Sequence, residues 1–90
     1  MLTVKRHKTF LKDLQRVRLS DKHFSRFILY VAKLIEQTPL PAEARNHPLK
    51  GDYAGHHEFH ISGDVLVIYK ISGDELWLLR LGSHSELFSK

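Results

Sequence analysis

The sequence predicts one α+β domain over residues 1–90, ordered β-α-α-β-β-β, with two N-terminal helices packed on a small, mainly antiparallel sheet. Three observations predict it. Apolar side chains recur at helical spacing between residues 7 and 35 and at strand spacing between residues 57 and 81. A chain of 90 residues is also long enough for one core and too short for two.

The elements follow in order. Leu2 to Lys5 is a short candidate strand. From His7 to Arg18, the residues Phe10, Leu11, Leu14 and Val17 form one helical face, with Lys8, Lys12, Asp13, Arg16 and Arg18 mostly off it. Ser20 and Asp21 supply a capping signal for the second helix, whose apolar face is Phe24, Phe27, Ile28, Val31, Leu34 and Ile35. Thr38-Pro39-Leu40-Pro41 ends it, because proline cannot continue a helix and disfavours helical geometry just before itself.

The second half reads as strands. Gly51 and Gly55 punctuate a loop or bent strand. His57, Phe59 and Ile61 alternate with His56, Glu58 and His60, giving that segment two chemically different faces. Gly63-Asp64 is turn-like, Val65 to Ile71 is a nearly continuous apolar run suited to a central strand, and Ile71-Ser72-Gly73-Asp74-Glu75-Leu76 is a hairpin connection to a last strand over Leu76 to Leu81. With Phe59 and Ile61 turned to the helices, Glu58 and His60 face away. With Leu79 and Leu81 turned to the helices, Arg80 faces away as well. His60 and Arg80 are thus expected on one exposed face.

Composition narrows the function. There is no cysteine, which excludes disulfides and cysteine-held metal sites and fits a reducing cytoplasm. No apolar run approaches membrane-spanning length, and no apolar signal core follows the N-terminus, so a cytoplasmic protein without membrane contact is expected. Residues 1–50 carry eleven Lys/Arg against four Asp/Glu, a balance of +7, while residues 51–90 carry three against six, a balance of −3. The basic half suggests a polyanionic partner, either nucleic acid or an acidic protein, or else simply lysines exposed on helices.

Seven histidines are many for this length, with His56, His57 and His60 on one segment and His47 and His84 elsewhere. His7 and His23 read as solvated surface residues. Histidine transfers protons near neutral pH, and arginine holds phosphate. Those are the groups RNA cleavage needs: a base for the ribose 2′-OH, an acid for the departing 5′-oxygen, and cations for the phosphate oxygens. A zinc site from His56, His57 and His60 lacks the cysteine or acidic set that completes such sites, and its two adjacent histidines point to opposite faces. No metal or other cofactor is expected.

From Asn46 onward three blocks resemble the YafQ branch of the RelE toxin superfamily. Asn46-His47-Pro48-Leu49-Lys50-Gly51 is similar to the family's D-H-x-L-x-G segment. Gly55-His56-His57-Glu58-Phe59-His60-Ile61-Ser62-Gly63-Asp64 is similar to G-x-R-[DE]-x-H-[IV]-x-P-D. Leu79-Arg80-Leu81-Gly82-Ser83-His84-Ser85-Glu86-Leu87-Phe88 is similar to the closing R-x-G-[ST]-H-x-x-L-F, the most specific of the three. The N-terminal half matches in pattern only.

The resemblance implies a RelE-like fold and a toxin that cleaves mRNA, usually in the ribosomal A site, held in check by an antitoxin expected to be acidic. It implies functional positions at His47, His60, Asp64, Arg80, His84 and Phe88. His60 and His84 are then the acid–base pair in either order, and His47 a further proton-transfer or phosphate-contacting group. Arg80 holds the scissile phosphate, Asp64 orients a histidine or transfers a proton, and Phe88 stacks on a base or plugs the end of the sheet. Lys50 and His57 are further substrate-contacting candidates. Three positions depart from the pattern: Asn46 stands for the family's aspartate, His57 for an arginine and Gly63 for a proline. A non-catalytic module binding nucleic acid or an acidic partner is the competing reading, and Arg80 and His84 argue against it because neither has an evident structural need at its position.

Overall fold

The computed structural model describes residues 1–88. Its elements are β1 (Thr3–Arg6), α1 (Lys8–Arg16), α2 (Asp21–Ile35), β2 (His47–Pro48), β3 (His57–His60), β4 (Val65–Ser72), β5 (Glu75–Ser83) and α3 (His84–Phe88). The expected order is present with two additions, the two-residue β2 and the five-residue α3. Single 3-10 turns over Ala42–Ala44 and Gly51–Tyr53 link the middle of the chain.

The helices begin where side chains can satisfy free N–H groups. Ser20 Oγ accepts from the His23 N–H at 3.1 Å and starts α2. His7 is not merely solvated: its Nδ1 accepts from the Thr9 N–H at 3.3 Å and caps α1. The β4–β5 hairpin turns on Gly73 and Asp74. Gly73 has φ 59°, the positive value that a tight hairpin demands of its first central residue and that glycine adopts without steric cost.

The sheet order is β1-β5-β4-β3-β2, with β1 parallel to β5 and every other pair antiparallel, so the apolar run of β4 is indeed central. One face meets the helices. Phe10, Phe27, Tyr30, Val31 and Leu34 pack there on Phe59, Ile61, Val67, Tyr69, Leu76, Leu78 and Leu81. The other face carries a smaller cluster of Leu66, Ile68 and Leu87, flanked by Leu49, Tyr53, Leu79 and Phe88.

Three expectations about burial are corrected. Leu79 packs on the second face, not under the helices, because β5 bulges. Tyr69 pairs with Leu78 and Ile68 with Arg80, so Leu79 is an extra residue that breaks the alternation. Leu11 and Leu14 on α1 stay about two-fifths exposed, and the buried residues of that helix are Phe10 and Asp13. On α2, Phe24 and Ile28 are about half exposed. A helix one layer deep buries only a stripe, and these residues sit at its edges.

Candidate active site

On the second face, the register sets Glu58, Ile68 and Arg80 in one row across β3, β4 and β5. His60, Leu66 and Gly82 form the next row. Glu58 and Arg80 therefore stand two strand spacings apart, about 10 Å at the backbone. His60 and Arg80 share a sheet face as expected, with apolar side chains between them, but that face is not open there: the His60 side chain is 12% exposed and the Arg80 side chain 27%, because Glu58 and Asp13 draw them in.

A histidine cluster occupies the β2–β3 side. Glu58 is 4% exposed, and its Oε2 receives His60 Nε2 at 2.8 Å and lies 3.3 Å from His47 Nε2. The two imidazole rings stack with centroids 6.3 Å apart. Arg45 closes the group: its Nη2 donates to His60 Nδ1 at 3.0 Å, and its carbonyl accepts from His47 Nδ1 at 2.6 Å. It does so from a left-handed backbone conformation, φ 47°, uncommon for any residue but glycine and a strain found preferentially at functional sites. A guanidinium only donates and a carboxylate only accepts, so these contacts set the His60 tautomer, with the proton on Nε2. Both of its nitrogens are engaged.

The β5 side carries a cleft of about 510 Å³ lined by Lys50, Asp52, Tyr53, Arg80, Glu86 and Phe88 among others. Arg80 is anchored from below by Asp13 of α1, which accepts from its Nε at 2.7 Å and its Nη2 at 3.2 Å. Burial pushes the Asp13 carboxyl up, but the hydrogen bonds from Arg80, the Leu81 N–H and Arg16 outweigh it and hold the group below the ordinary carboxylate range. The bond to Asp13 likewise keeps the Arg80 guanidinium protonated beyond its ordinary range. Phe88 packs edge-on against Tyr53 at 5.4 Å and stacks with His84 at 4.5 Å.

His84 does not lie in a free loop. It opens α3, and a capping box fixes it there: Glu86 N–H donates to Ser83 Oγ at 3.2 Å, and Ser83 N–H donates to Glu86 Oε1 at 3.0 Å. The imidazole itself is exposed. Asp64 is exposed in the turn between β3 and β4, and Val65 beside it pairs with Ser83, so that turn borders the start of α3.

The sequence-derived positions thus fall into three groups. His47 and His60 meet on Glu58. Lys50, Arg80 and Phe88 line one cleft, with His84 stacked at its rim and Asp64 on the neighbouring turn. His57 stands apart, on the helix-facing side of β3, stacked on Tyr69 at 5.6 Å in a separate hollow of about 450 Å³ with Asn46 and Pro39. Asn46 has its own task there, since its Oδ1 accepts from the Tyr69 hydroxyl at 2.6 Å. Burial raises the Tyr69 phenol, and that bond partly offsets it.

Sequence reading passed over Glu58, Arg45, Asp13 and the Ser83–Glu86 box. Of these, Glu58 falls on the acidic position of the second block and the box has a local signal, Ser-x-x-Glu, whereas Arg45 and Asp13 have none. Among the described residues, no group of three or more His, Asp or Glu side chains is arranged to hold a metal ion. In the Glu58 cluster both imidazoles aim Nε2 at one carboxylate oxygen instead of at a common open point.

Comparison with known proteins extends over nearly the whole chain. A family model described as a bacterial toxin of type II toxin-antitoxin system, YafQ, matches residues 2–89. The mRNA interferase toxin YafQ of Escherichia coli strain K12 is 32% identical over 80 residues, which is 88% of this chain and 87% of the relative. A crystal structure of a copper-bound L66S mutant toxin from Helicobacter pylori superposes with TM-score 0.85 at 40% identity, covering 98% of this chain and 100% of that one. The E. coli DinJ-YafQ complex superposes with TM-score 0.85 at 28% identity, covering 99% of this chain and 100% of that one.

Proposed function

Since this chain belongs to the YafQ family of bacterial type II toxins, we propose that it is an endoribonuclease that cleaves mRNA, in the ribosomal A site, and is restrained by an antitoxin. The observation that carries this is an anchored guanidinium beside an exposed imidazole: Arg80, held by Asp13, lines a cleft with Phe88, and His84 stacks on that Phe88. The relative from E. coli is an mRNA interferase toxin, and the E. coli DinJ-YafQ assembly is a toxin-antitoxin complex. The site of action is the cytoplasm, where ribosomes are. No helix among the described residues is long and apolar enough to cross a membrane.

In the reaction, a base takes the proton of a ribose 2′-OH and the 2′-oxygen attacks the adjacent phosphorus. The bond to the 5′-oxygen breaks, and an acid protonates that oxygen, leaving a cyclic phosphate and a free 5′-hydroxyl. Arg80 and Lys50 neutralise the phosphate oxygens as their charge grows. His84 and His60 exchange the protons, in either order. His60 can accept a proton only once Arg45 leaves its Nδ1, and Arg45 is exposed, so a substrate phosphate competes for it. Asp64 and His47 bear on proton transfer from the turn and from β2. Phe88, with Tyr53 behind it, offers a π-face for a base.

No step is routed through a metal, because the donor set does not converge on an ion position. The H. pylori toxin structure holds copper, so the test must address metal directly. Single-turnover cleavage of a free RNA oligonucleotide in excess EDTA is expected to match that without chelator. In the same assay His84→Ala is expected to slow cleavage by about 10²–10⁴, while His23→Ala leaves it unchanged. Activity lost in EDTA and restored by a divalent ion would overturn the metal-free mechanism. A folded His84→Ala variant cleaving at the wild-type rate would remove His84 from it.

A further inference from the structure

The strand that carries Arg80 is only partly covered by β1, whose pairing runs from Thr3–Glu75 to Arg6–Leu78 and stops there. Beyond Leu78 the edge of β5 is met by a helix, and a helix offers no backbone ladder. Two side chains one turn apart on α1 take the ladder's place. Thr9 Oγ1 donates to the Leu79 carbonyl at 2.7 Å, and Asp13 Oδ2 accepts from the Leu81 N–H at 2.9 Å. Asp13 is 4% exposed, and a carboxylate so buried must be fully paired. Its Oδ2 also takes Arg80 Nε, and its Oδ1 takes Arg80 Nη2 and, at 2.9 Å, Arg16 Nη2.

We propose that Asp13 is a positioning residue: it fixes which edge of the Arg80 guanidinium faces the cleft, and thereby where the scissile phosphate sits. The inference rests on the ribonuclease reading above. A guanidinium has five N–H groups. Asp13 consumes the Nε–H and one on Nη2, which leaves both on Nη1 and one on Nη2. That remaining edge presents two parallel donors, the geometry that two phosphate oxygens accept. Arg80 lines the cleft together with Lys50, Tyr53 and Phe88, whereas Asp13 does not.

Charge alone would set Asp13 against substrate, since a carboxylate beside Arg80 lowers the positive potential there. Its gain is therefore in orientation, and this separates it from a merely electrostatic or structural role. Removing the charge is expected to leave RNA affinity unchanged or tighter while turnover falls. Positioning an otherwise mobile catalytic group contributes to rate through geometry that binding alone does not report. Arg16 stays tethered without Asp13, because it is also paired with Glu86.

The experiment is single-turnover cleavage of a free RNA oligonucleotide by wild type, Asp13→Asn, Arg80→Lys and the double variant, with melting curves for each. Arg80→Lys leaves a residual rate on which the cycle can be closed. Asp13→Asn is expected to lower the maximal rate about 10- to 100-fold without raising the half-saturating protein concentration. In the Arg80→Lys background the same change is expected to cost no more than about 3-fold, because residues acting through one group are not additive. Should Asp13→Asn fail to fold, Asp13→Glu keeps the charge and moves the carboxylate by one methylene, with the same expected fall in maximal rate. A folded Asp13 variant at the wild-type rate overturns the inference, as does a full-sized effect in the Arg80→Lys background. If Arg80→Lys cleaves like wild type, the ribonuclease reading of this cleft fails instead, and the two failures stay distinguishable.

Discussion

Among the described residues the buried polar or charged side chains are two, Asp13 and Glu58, and each holds one half of the candidate site. Asp13 orients Arg80, and Glu58 gathers His47 and His60. A buried carboxylate is costly unless its oxygens are hydrogen-bonded, so each acid and the side chains it holds stand or fall together. The partners were more legible in the sequence than these two acids. His47, His60 and Arg80 belong to residue types whose chemistry is recognisable alone. Asp13 falls among the polar positions of an amphipathic helix, and only its contact across 67 residues with Arg80 distinguishes it. The Asp13 carboxyl lies below its ordinary value of 3.8 in the folded protein. A depressed pKa contributes stability that is present above the unfolded value and lost as pH falls through the folded one. The stability of the wild type relative to Asp13→Asn is therefore expected to shrink as pH drops from about 5 to about 2. Urea melts at a series of pH values measure it, and a difference that does not change with pH would show that Asp13 is not ionised in the fold.

At the scale of elements, what sequence pattern misses is whatever breaks period. The helices, the central β4 and the hairpin at Gly73 were all legible, because each follows a uniform repeat or a turn with its own chemistry. The β5 bulge was not. One unpaired residue at Leu79 reverses the facing of that position, and nothing in Leu-Trp-Leu-Leu-Arg-Leu marks where it falls. Strand β2 is two residues long and contains a proline, too little for any pattern. Helix α3 is five residues, far below the length at which a helix is stable alone. It persists because Ser83 and Glu86 cap it, Glu86 pairs with Arg16, and Leu87 is buried on Leu66 and Ile68. Gly82 is part of the same fit, since a Cβ there would stand 3.1 Å from Glu86 Oε1 and 3.3 Å from Leu87 Cδ2. The cap therefore matters to chemistry as well as to folding. Ser83→Ala is expected to cost about 1 kcal/mol of stability and, because His84 is the first residue of the helix, to lower cleavage as well. Denaturant melts and cleavage rates measured on the same preparation test this, and a stability loss with no loss of rate would mean that His84 finds its position without the cap.

The whole molecule divides its tasks between two surfaces. The sheet face away from α1 and α2 holds Arg80, Glu58, His47 and His60, whereas α1 and α2 turn outward a mixed surface that has no part in the proposed chemistry. Phe24, Ile28 and Leu29 on α2 are about half exposed, Leu11 and Leu14 on α1 about two-fifths, and the exposed cations Lys8, Lys12, Arg18 and Lys22 lie on and between the same helices. Exposed apolar residues and cations on the same two helices favour a partner with the reverse pattern, an amphipathic acidic segment, and the antitoxin proposed above is the partner that fits. Charge would then speed the encounter and apolar contact would hold it. Burying one Phe or Ile side chain contributes about 1.5–3 kcal/mol, so Phe24→Asp or Ile28→Asp is expected to weaken antitoxin binding at least about tenfold. Both variants are expected to cleave free RNA at the wild-type rate, since neither residue lies near the cleft. Raising salt is expected to slow association far more than it speeds dissociation, because exposed charges are screened beyond about 8 Å at physiological ionic strength. Association and dissociation rates with the proposed antitoxin measure each term separately. If Phe24→Asp binds as tightly as wild type and salt leaves the association rate unchanged, the antitoxin must instead cover the cleft, and Arg80 variants would then be the ones to lose it.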